Sequence, residues 1–463
     1  MLHHDRTYSN STDCSSRRGF IAAAVMVTSS LLLGAGGSDS NDSPRTQLRV
    51  IHASPDAPKV NVLLNGEAVL TEVNYKEGSG FTDPARGTYD VSVDAITPSG
   101  DVTVIDVPDV EFSADTEYSI LAVGKVANNT LAPLVIANLR SAVPSGQARA
   151  QVVHAAPDAP AVSVYVTAPG ADLASATALG TFSFGDDLGP VEVPAGSYQI
   201  RVTLANNPAA VAYDAGTVAL AAGADLLLVA VANTTTGSAP ISLLVNDGET
   251  QSELLDVDTP ADVRAGHLSP DAPAVDVIVN NDLANPLFNA ATYPSLTSYA
   301  NVSPATYNLK VVDDASQSLT VIDANLAVVA GRSYSVLAVG LLADIEPLVL
   351  TDDRRSVATE ARVRIVHGSP SAGNVDIYVA APGTDINTIS PTFANVPFKA
   401  NTGYVGLTGA TYDVSVTPAG AKSPVAIFAT LAIENGDVFT AIARDNTGGG
   451  VPLGLLLKDE TAD

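Results

Sequence analysis

The chain has 463 residues, and 50 acidic against 23 basic side chains give it a formal charge of −27. That surplus excludes nucleic acid and anionic lipid as partners, since both are bound through basic patches, and fits a solvated acidic surface. Hydrophobic residues reach 46%, but with no Trp and only 5% aromatics the cores must be built mainly from Ala, Val and Leu.

In chain order, Ser16-Arg17-Arg18-Gly19-Phe20-Ile21 precedes an apolar run from Ala22 to Leu33, then Gly34-Ala35-Gly36-Gly37 and the polar stretch Ser38 to Pro44. Paired arginines, a short apolar core and small residues predict an export signal over residues 1–37 and a polar linker over 38–46. The run falls well short of the roughly 20 residues that a membrane span needs. The Arg-Arg-x-Phe-Ile order resembles a twin-arginine signal with Ala22 where a Lys often stands; an ordinary secretory signal fits the same residues. Leu33-Gly34-Ala35-Gly36 resembles a lipoprotein signal whose Cys has become Gly, so it offers no thiol for an anchor. The sole cysteine, Cys14, leaves with the signal, and no disulfide is expected in the exported chain. The protein is therefore expected in the periplasm, on the cell surface or secreted, without a transmembrane span in its mature form.

Beyond the linker one phrase recurs. It reads His52-Ala-Ser-Pro-Asp-Ala-Pro, His154-Ala-Ala-Pro-Asp-Ala-Pro, His267-Leu-Ser-Pro-Asp-Ala-Pro and, more loosely, His367-Gly-Ser-Pro-Ser-Ala-Gly. The other two histidines, His3 and His4, lie in the expected signal. Successive phrase histidines are 102, 113 and 100 residues apart, the spacing of small domains and not of a solenoid. The boundaries expected are 47–143, 147–246, 261–357 and 361–459, with an acidic linker over 247–260. The joints Asn138 to Val143 and Asp353 to Val357 share a basic-serine-valine character. The longer acidic stretch between repeats 2 and 3 predicts a pair of pairs with its most flexible joint in the middle.

Within each repeat the phrase follows a strand-like run and leads into alternating residues such as Val60-Asn61-Val62 and Val162-Ser163-Val164, the period of a strand with one buried face. A second marker, Gly87-Thr88-Tyr89-Asp90-Val91-Ser92-Val93, returns around Tyr198, Tyr307 and Tyr412. A third is a strongly apolar strand, Tyr118 to Val123 or Tyr334 to Val339, followed by a short final strand. About seven short strands per repeat, frequent turn signals and no amphipathic helix predict an all-β chain of four tandem immunoglobulin-like β-sandwich domains.

The phrase His-x-Ser-Pro-Asp-Ala-Pro-x-Val-Asp-Val, the Gly-Thr-Tyr strand and the Tyr-x-Val-x-Ala-x-Gly strand together resemble domain of unknown function 4397. The resemblance spans nearly all of residues 47–457 and is looser in repeat 4, where Ser371 and Gly373 replace the Asp and second Pro. It implies exported, tandem β-sandwich modules and carries no activity.

The phrase is also where chemistry would sit. His52 with Asp56, His154 with Asp158, His267 with Asp271, and His367 alone are the candidate ligand-loop residues. A zinc site needs three or four ligands, and each repeat offers one His and no Cys. Turn chemistry explains the same residues: Pro fixes φ, the carboxylate accepts backbone N–H bonds, and the His bonds its own loop. There is no Gly-x-Ser-x-Gly elbow, and Ser54 becomes Ala156 in repeat 2, which argues against nucleophilic catalysis. No EF-hand loop favours calcium. The four Tyr of the second marker are expected to pack at the sandwich rim and not to form a sugar platform. No catalytic residue, metal or cofactor is assigned. The expected function is a non-enzymatic cell-envelope scaffold or multivalent binding protein, partnered by an envelope or extracellular protein or polymer. The alternative is a periplasmic solute- or metal-ion-binding protein that uses the phrase loops.

Overall fold

In the computed structural model, which describes residues 46–461, each histidine phrase opens a segment that folds into two separate sheets. In repeat 1 the strands are β1 (Gln47–His52), β2 (Val60–Leu64), β3 (Glu67–Val73), β4 (Gly87–Thr97), β5 (Gly100–Phe112), β6 (Thr116–Val123) and β7 (Ala132–Leu139). One sheet runs β1-β6-β7 and the other β3-β2-β4-β5. All contacts in the second sheet are antiparallel, whereas β1 pairs β6 in parallel from Gln47↔Glu117 to His52↔Ala122. A parallel pair needs a long crossover, and here the entire second sheet supplies it. The same parallel pairing joins Gln147–His154 to Asp225–Ala232, Ala261–Leu268 to Ser333–Val339, and Ala361–His367 to Val438–Arg444. The only helical elements among the described residues are short 3-10 turns at Leu342–Asp344 and Ile386–Thr388. The expected export signal and nearly all of the linker over 38–46 lie outside the described residues.

Alternation along β1 sends its residues two ways. Leu48 and Val50 face the second sheet and pack with Val60, Val62, Val91, Val93 and Ile105. Ile51 and Ala53 face outward, yet both are fully buried. They meet Leu121, Val123 and Ile136 of repeat 1 and, across from them, Val153, Leu227, Val229, Val231 and Leu244 of repeat 2. The parallel sheets of repeats 1 and 2 are thus packed face to face. Repeats 3 and 4 do the same through Leu268, Leu337, Val339 and Leu350 against Val366 and Ile442. Each such side chain contributes on the order of 1.5–3 kcal/mol by leaving water. The expected pairing of repeats therefore has a physical basis: each parallel sheet is buried on both faces.

The position three before each phrase histidine also points into that interface, and in three repeats it is an arginine. Arg264 and Arg364 are fully buried and exchange partners across the pair. Arg264 reaches Glu460 of repeat 4 at 2.5 Å, and Arg364 reaches Asp352 of repeat 3 at 2.5 Å. Tyr299 donates to Asp352 and Tyr404 to Glu460, both at 2.7 Å, while the two guanidinium groups lie 4.6 and 4.7 Å from the Tyr299 and Tyr404 ring centres. Burial opposes ionisation of Glu460, but the charge of Arg264 and hydrogen bonds from Thr440, Tyr404 and Arg264 outweigh it and hold the carboxyl below its usual range.

The first pair uses neutral groups at the same places. Gln151 accepts from Asn138 at 2.6 Å, and Arg49 donates to the Asn246 side chain at 3.1 Å beneath the Phe81 ring. Residue 248 is Gly, at φ +87°, because a Cβ there would sit 2.6 Å from Phe81. With no carboxylate partner, burial draws Arg49 down to about 10.

The stretch 247–260, expected as an open acidic linker, contains a strand. Gln251–Leu254 pairs with Ile241–Asn246 and lies across both repeats of the first pair: Gln251 donates to the Lys76 carbonyl at 2.6 Å and Glu253 bonds Lys76 at 2.6 Å. The middle joint is tethered on its other side too, where Thr236 donates to the Pro260 carbonyl. Of its acids Glu253 makes the ion pair to Lys76, while Asp247, Glu249 and Asp258 stay exposed.

The reciprocal ion pairs predict a test. Glu460→Gln leaves the buried Arg264 with only the more distant Asp352, at 3.9 Å, as counter-charge and should cost up to about 3–5 kcal/mol. Replacing both Arg264 and Glu460 by Met should cost clearly less than the sum of the two single changes. Urea unfolding followed by Tyr fluorescence measures both; additive losses would show that the groups do not act as a pair.

Candidate functional site: the histidine loops

Each phrase histidine is the last or next-to-last residue of its strand, on the inward face beside the hydrophobic core, and each is 1–2% exposed. Its Nε2 lies 2.9 Å from the Pro58 carbonyl in repeat 1, 3.3 Å from Pro160 in repeat 2, 2.8 Å from Pro273 in repeat 3 and 2.7 Å from Gly373 in repeat 4. A carbonyl only accepts, so Nε2 carries the proton and donates, always to the sixth residue onward. Nδ1 is left as an acceptor; it takes the Ser54 N–H at 3.4 Å and the Ser369 N–H at 3.3 Å. An aromatic edge backs the ring in three repeats: Tyr75, Tyr293 and Phe398 each stand 6.1 Å from it.

Burial keeps these rings neutral. It pushes His52 down to about 4, with the nearby Arg355 charge acting in the same direction against the Pro58 hydrogen bond. Burial also lowers His154, His267 and His367.

The aspartates of the phrase spend their charge elsewhere. Asp56 accepts the N–H groups of Val126 and Ala127 at 2.8 and 3.0 Å, pinning the loop to the β6–β7 connection. Asp271 does the same with Leu342 at 2.7 Å. Asp158 instead meets Lys125 of repeat 1 at 2.8 Å. In repeat 4, where Ser371 stands in the phrase, Asp445 supplies the carboxylate and takes Ser369 Oγ and the Gly450 N–H. Ring and carboxylate of one phrase therefore act on different neighbours. Among the described residues no three His, Cys, Asp or Glu side chains are grouped as a metal would require. Ser54, Ser269 and Ser369 are fully buried, with no route for a substrate to reach them.

The four tyrosines of the second marker share a different bond. Tyr89, Tyr198, Tyr307 and Tyr412 each donate to the carbonyl four residues upstream, at 2.9, 2.7, 2.8 and 2.9 Å. Such back-bonding holds a turn against the strand that follows it, much as a tyrosine corner does.

One contact lay beyond the sequence. The joint between repeats 3 and 4 lies over the first histidine loop. Arg355 donates from Nη1 to the carbonyls of Pro55 and Ala57 at 3.2 and 2.8 Å and from Nη2 to Asn74 at 2.9 Å, with its guanidinium 5.6 Å from the Tyr75 ring centre. The Ala358 N–H donates to the carbonyl of Asp56 between them at 2.8 Å, and Val357 is buried beside it. Three successive loop carbonyls are thus capped by one strap. The basic-serine-valine joint was visible in the sequence, but its partner some 300 residues away was not.

These features define an all-β tandem protein whose recurrent histidines close loops at the ends of doubly buried strands. The family described as Domain of unknown function (DUF4397) matches residues 46–165 and 261–378, just over half of the chain. The chain belongs to that family. Each match starts at the first strand of an odd repeat and runs into the second strand of the even repeat that follows, Val162–Thr167 or Val375–Ala380. No curated protein matches the chain.

A loop-closing role has two measurable consequences. His267→Ala removes the donor to the Pro273 carbonyl and should cost about 1–3 kcal/mol, seen as a lower melting temperature without any change in bound metal; stoichiometric metal lost on His154→Ala and His267→Ala would reverse the assignment. The pH dependence follows from the lowered rings. The unfolded chain takes up protons near pH 6.5 while the folded chain does not, so stability is full above that pH and falls as pH drops toward 4. For His52 alone the loss amounts to about 3 kcal/mol. Denaturant midpoints measured between pH 7 and 4 should fall steadily, and less so in His52→Gln.

Proposed function

We propose that this protein is an exported, non-enzymatic scaffold or multivalent binding protein of the cell envelope, built from four immunoglobulin-like β-sandwich domains in two face-packed pairs. It works in the periplasm, on the cell surface or after secretion, behind a twin-arginine-like signal, and its partner is an envelope or extracellular protein or polymer. The observation that carries the reading is the use made of the phrase residues. In all four repeats the imidazole is spent on closing its own loop, so the most repeated polar motif builds the fold, and repetition multiplies surface. Several weak sites on one chain bind a common partner far better than one does. The acidic surface supports the same reading by keeping an extended array soluble and by turning away anionic polymers.

The test is capture from envelope extract with residues 44–463 as bait, compared with a fragment-free control and with a Glu460→Gln variant that loosens the second pair. A specific partner retained by the native chain and weakened in the variant supports the proposal. Turnover of an ester, peptide or glycoside by the purified chain would overturn it.

A further inference from the structure

The second sheet of each repeat ends on a strand that pairs on one side only. Such an edge offers a row of free N–H and C=O groups to any further strand, and charge, proline and irregular register are what keep strands away. Three of the four edges carry these devices. Gly100–Phe112 holds Asp101, Asp106, Asp109, Glu111 and Pro108. Val211–Leu220 holds Asp214, whose N–H donates to the Asp256 carboxylate at 2.8 Å and whose carbonyl accepts the Val257 N–H at 2.9 Å. Thr320–Val328 holds Asp323. All three break register against the strand beside them.

The fourth edge, Ile427–Ile433 of repeat 4, has none of them. Its sequence Ile-Phe-Ala-Thr-Leu-Ala-Ile contains no charge and no proline, and its register runs unbroken from Ala410↔Ile433 to Val416↔Ile427. Phe428, Thr430 and Ala432 alternate onto the outer face, and Phe428 is 64% exposed.

This strand is complementary to itself. Laid antiparallel to a second copy about Thr430, all seven residues pair: Ile427 with Ile433, Phe428 with Ala432, Ala429 with Leu431 and Thr430 with Thr430. Between the ends and the axis, each large side chain meets a small one. A slip of two residues, the smallest that keeps the faces matched, leaves only five of the seven in the ladder. Beside Ala432 lies a shallow hollow lined by Gly409, Ala410, Thr411, Glu434 and Asn435, and the full register lays the Phe428 ring of the second copy over it. Charge does not oppose the contact. Asp413, the acid beside Thr430, accepts its hydroxyl at 2.7 Å. The Asp413 carboxylates of two copies would stand three strand spacings apart, about 14 Å, beyond the roughly 8 Å reach of charge at physiological salt.

We propose that two copies of this chain associate through this edge, their Ile427–Ile433 strands pairing antiparallel across a twofold axis at Thr430. Two four-stranded sheets then become one of eight strands. The same surface serves both copies, so the association closes at the dimer and does not propagate. The inference goes beyond the scaffold reading and needs no envelope partner: purified chains dimerise in buffer.

Sedimentation velocity on residues 44–463, over a concentration series in physiological salt, tests it. The native chain should give a dimer that dissociates on dilution and nothing larger. Thr430→Lys and Thr430→Glu each set like charges side by side on the axis, and each alone should sediment as a monomer with a near-native melting temperature. Mixed in equal amounts, the two variants should form a dimer of one each. Register is read by cross-linking, since residues 44–463 contain no cysteine. Thr430→Cys should give a disulfide-linked dimer on mild oxidation. Ala432→Cys should not, because its two copies stand about 13 Å apart in this register. A native chain that stays monomeric throughout, a dimer that survives both charged substitutions, a mixture that yields none, or equal cross-linking at both positions would each overturn the proposal. None of these results bears on capture of an envelope partner, so the two readings fail separately.

Discussion

The structure depends on one constraint: the parallel sheet containing β1 and β6 is buried on both faces. One face closes the hydrophobic core of its own repeat, and the other packs on the matching sheet of a neighbour. A strand in that position has no side facing water. This is why Ala261–Leu268 is buried along its whole length and Thr116–Val123 at every position but Glu117. A single repeat would expose that second face to water. The pair, not the repeat, is therefore the smallest unit that satisfies the sequence, and the extent of the family matches, each running past one repeat into the next, agrees with it.

The histidine phrase follows from the same constraint. A chain that leaves a doubly buried strand must turn while still in an apolar setting, and each carbonyl and N–H of the turn needs a partner there. Proline removes two N–H groups from the problem, the aspartate satisfies the amides of the neighbouring connection, and the imidazole satisfies the carbonyl at the far end of the turn. Imidazole suits that position because it is flat, packs edge-on against an aromatic ring and stays neutral when buried. Repeat 4 shows which parts are exchangeable. It has lost the aspartate and the second proline, yet it keeps the histidine bond and finds its carboxylate at Asp445.

Much of this was open to reading in the sequence, and the boundary of what was not is physical. Strands with one wet face announced themselves by alternation, as in Val60–Leu64 and around Tyr89. The repeat count came from the phrase. The second buried face did not come through, because an apolar run says that a strand is buried and not by what. A signal was nevertheless present: Arg49, Arg264 and Arg364 stand at one register inside apolar strands, where a charge persists only against a buried partner. The segment 247–260 was misleading for the opposite reason. Most of its acids do face solvent, and what the local pattern does not show is the pairing of Gln251–Leu254 with the Ile241–Asn246 edge and of Glu253 with Lys76, partners set by the fold.

The same buried groups explain why four similar repeats find the right neighbours. In the native pairs Arg264 faces Glu460, Arg364 faces Asp352, and Gln151 faces Asn138. Exchange repeat 4 for repeat 2 beside repeat 3, and Asp352 would face Gln151 while Arg264 would face Asn246, as Arg49 does. Arg264 and Asp352, 3.9 Å apart within repeat 3, would then keep only each other as counter-charge and lose the closer partners across the pair. Pair repeat 1 with repeat 4, and Arg364 would exchange Asp352 for the neutral Asn138 and keep only Glu460 of its own repeat, at 3.7 Å. The apolar faces of both pairs are built largely from Leu, Ile and Val, which leaves the buried polar groups to discriminate. The charges do so by making wrong pairings expensive, while their net contribution to the correct pairing is modest. The position three before each histidine is Arg in three repeats, so the divergence that bears on pairing lies in the groups facing it: Asn138 and Asn246 in the first pair, Asp352 and Glu460 in the second.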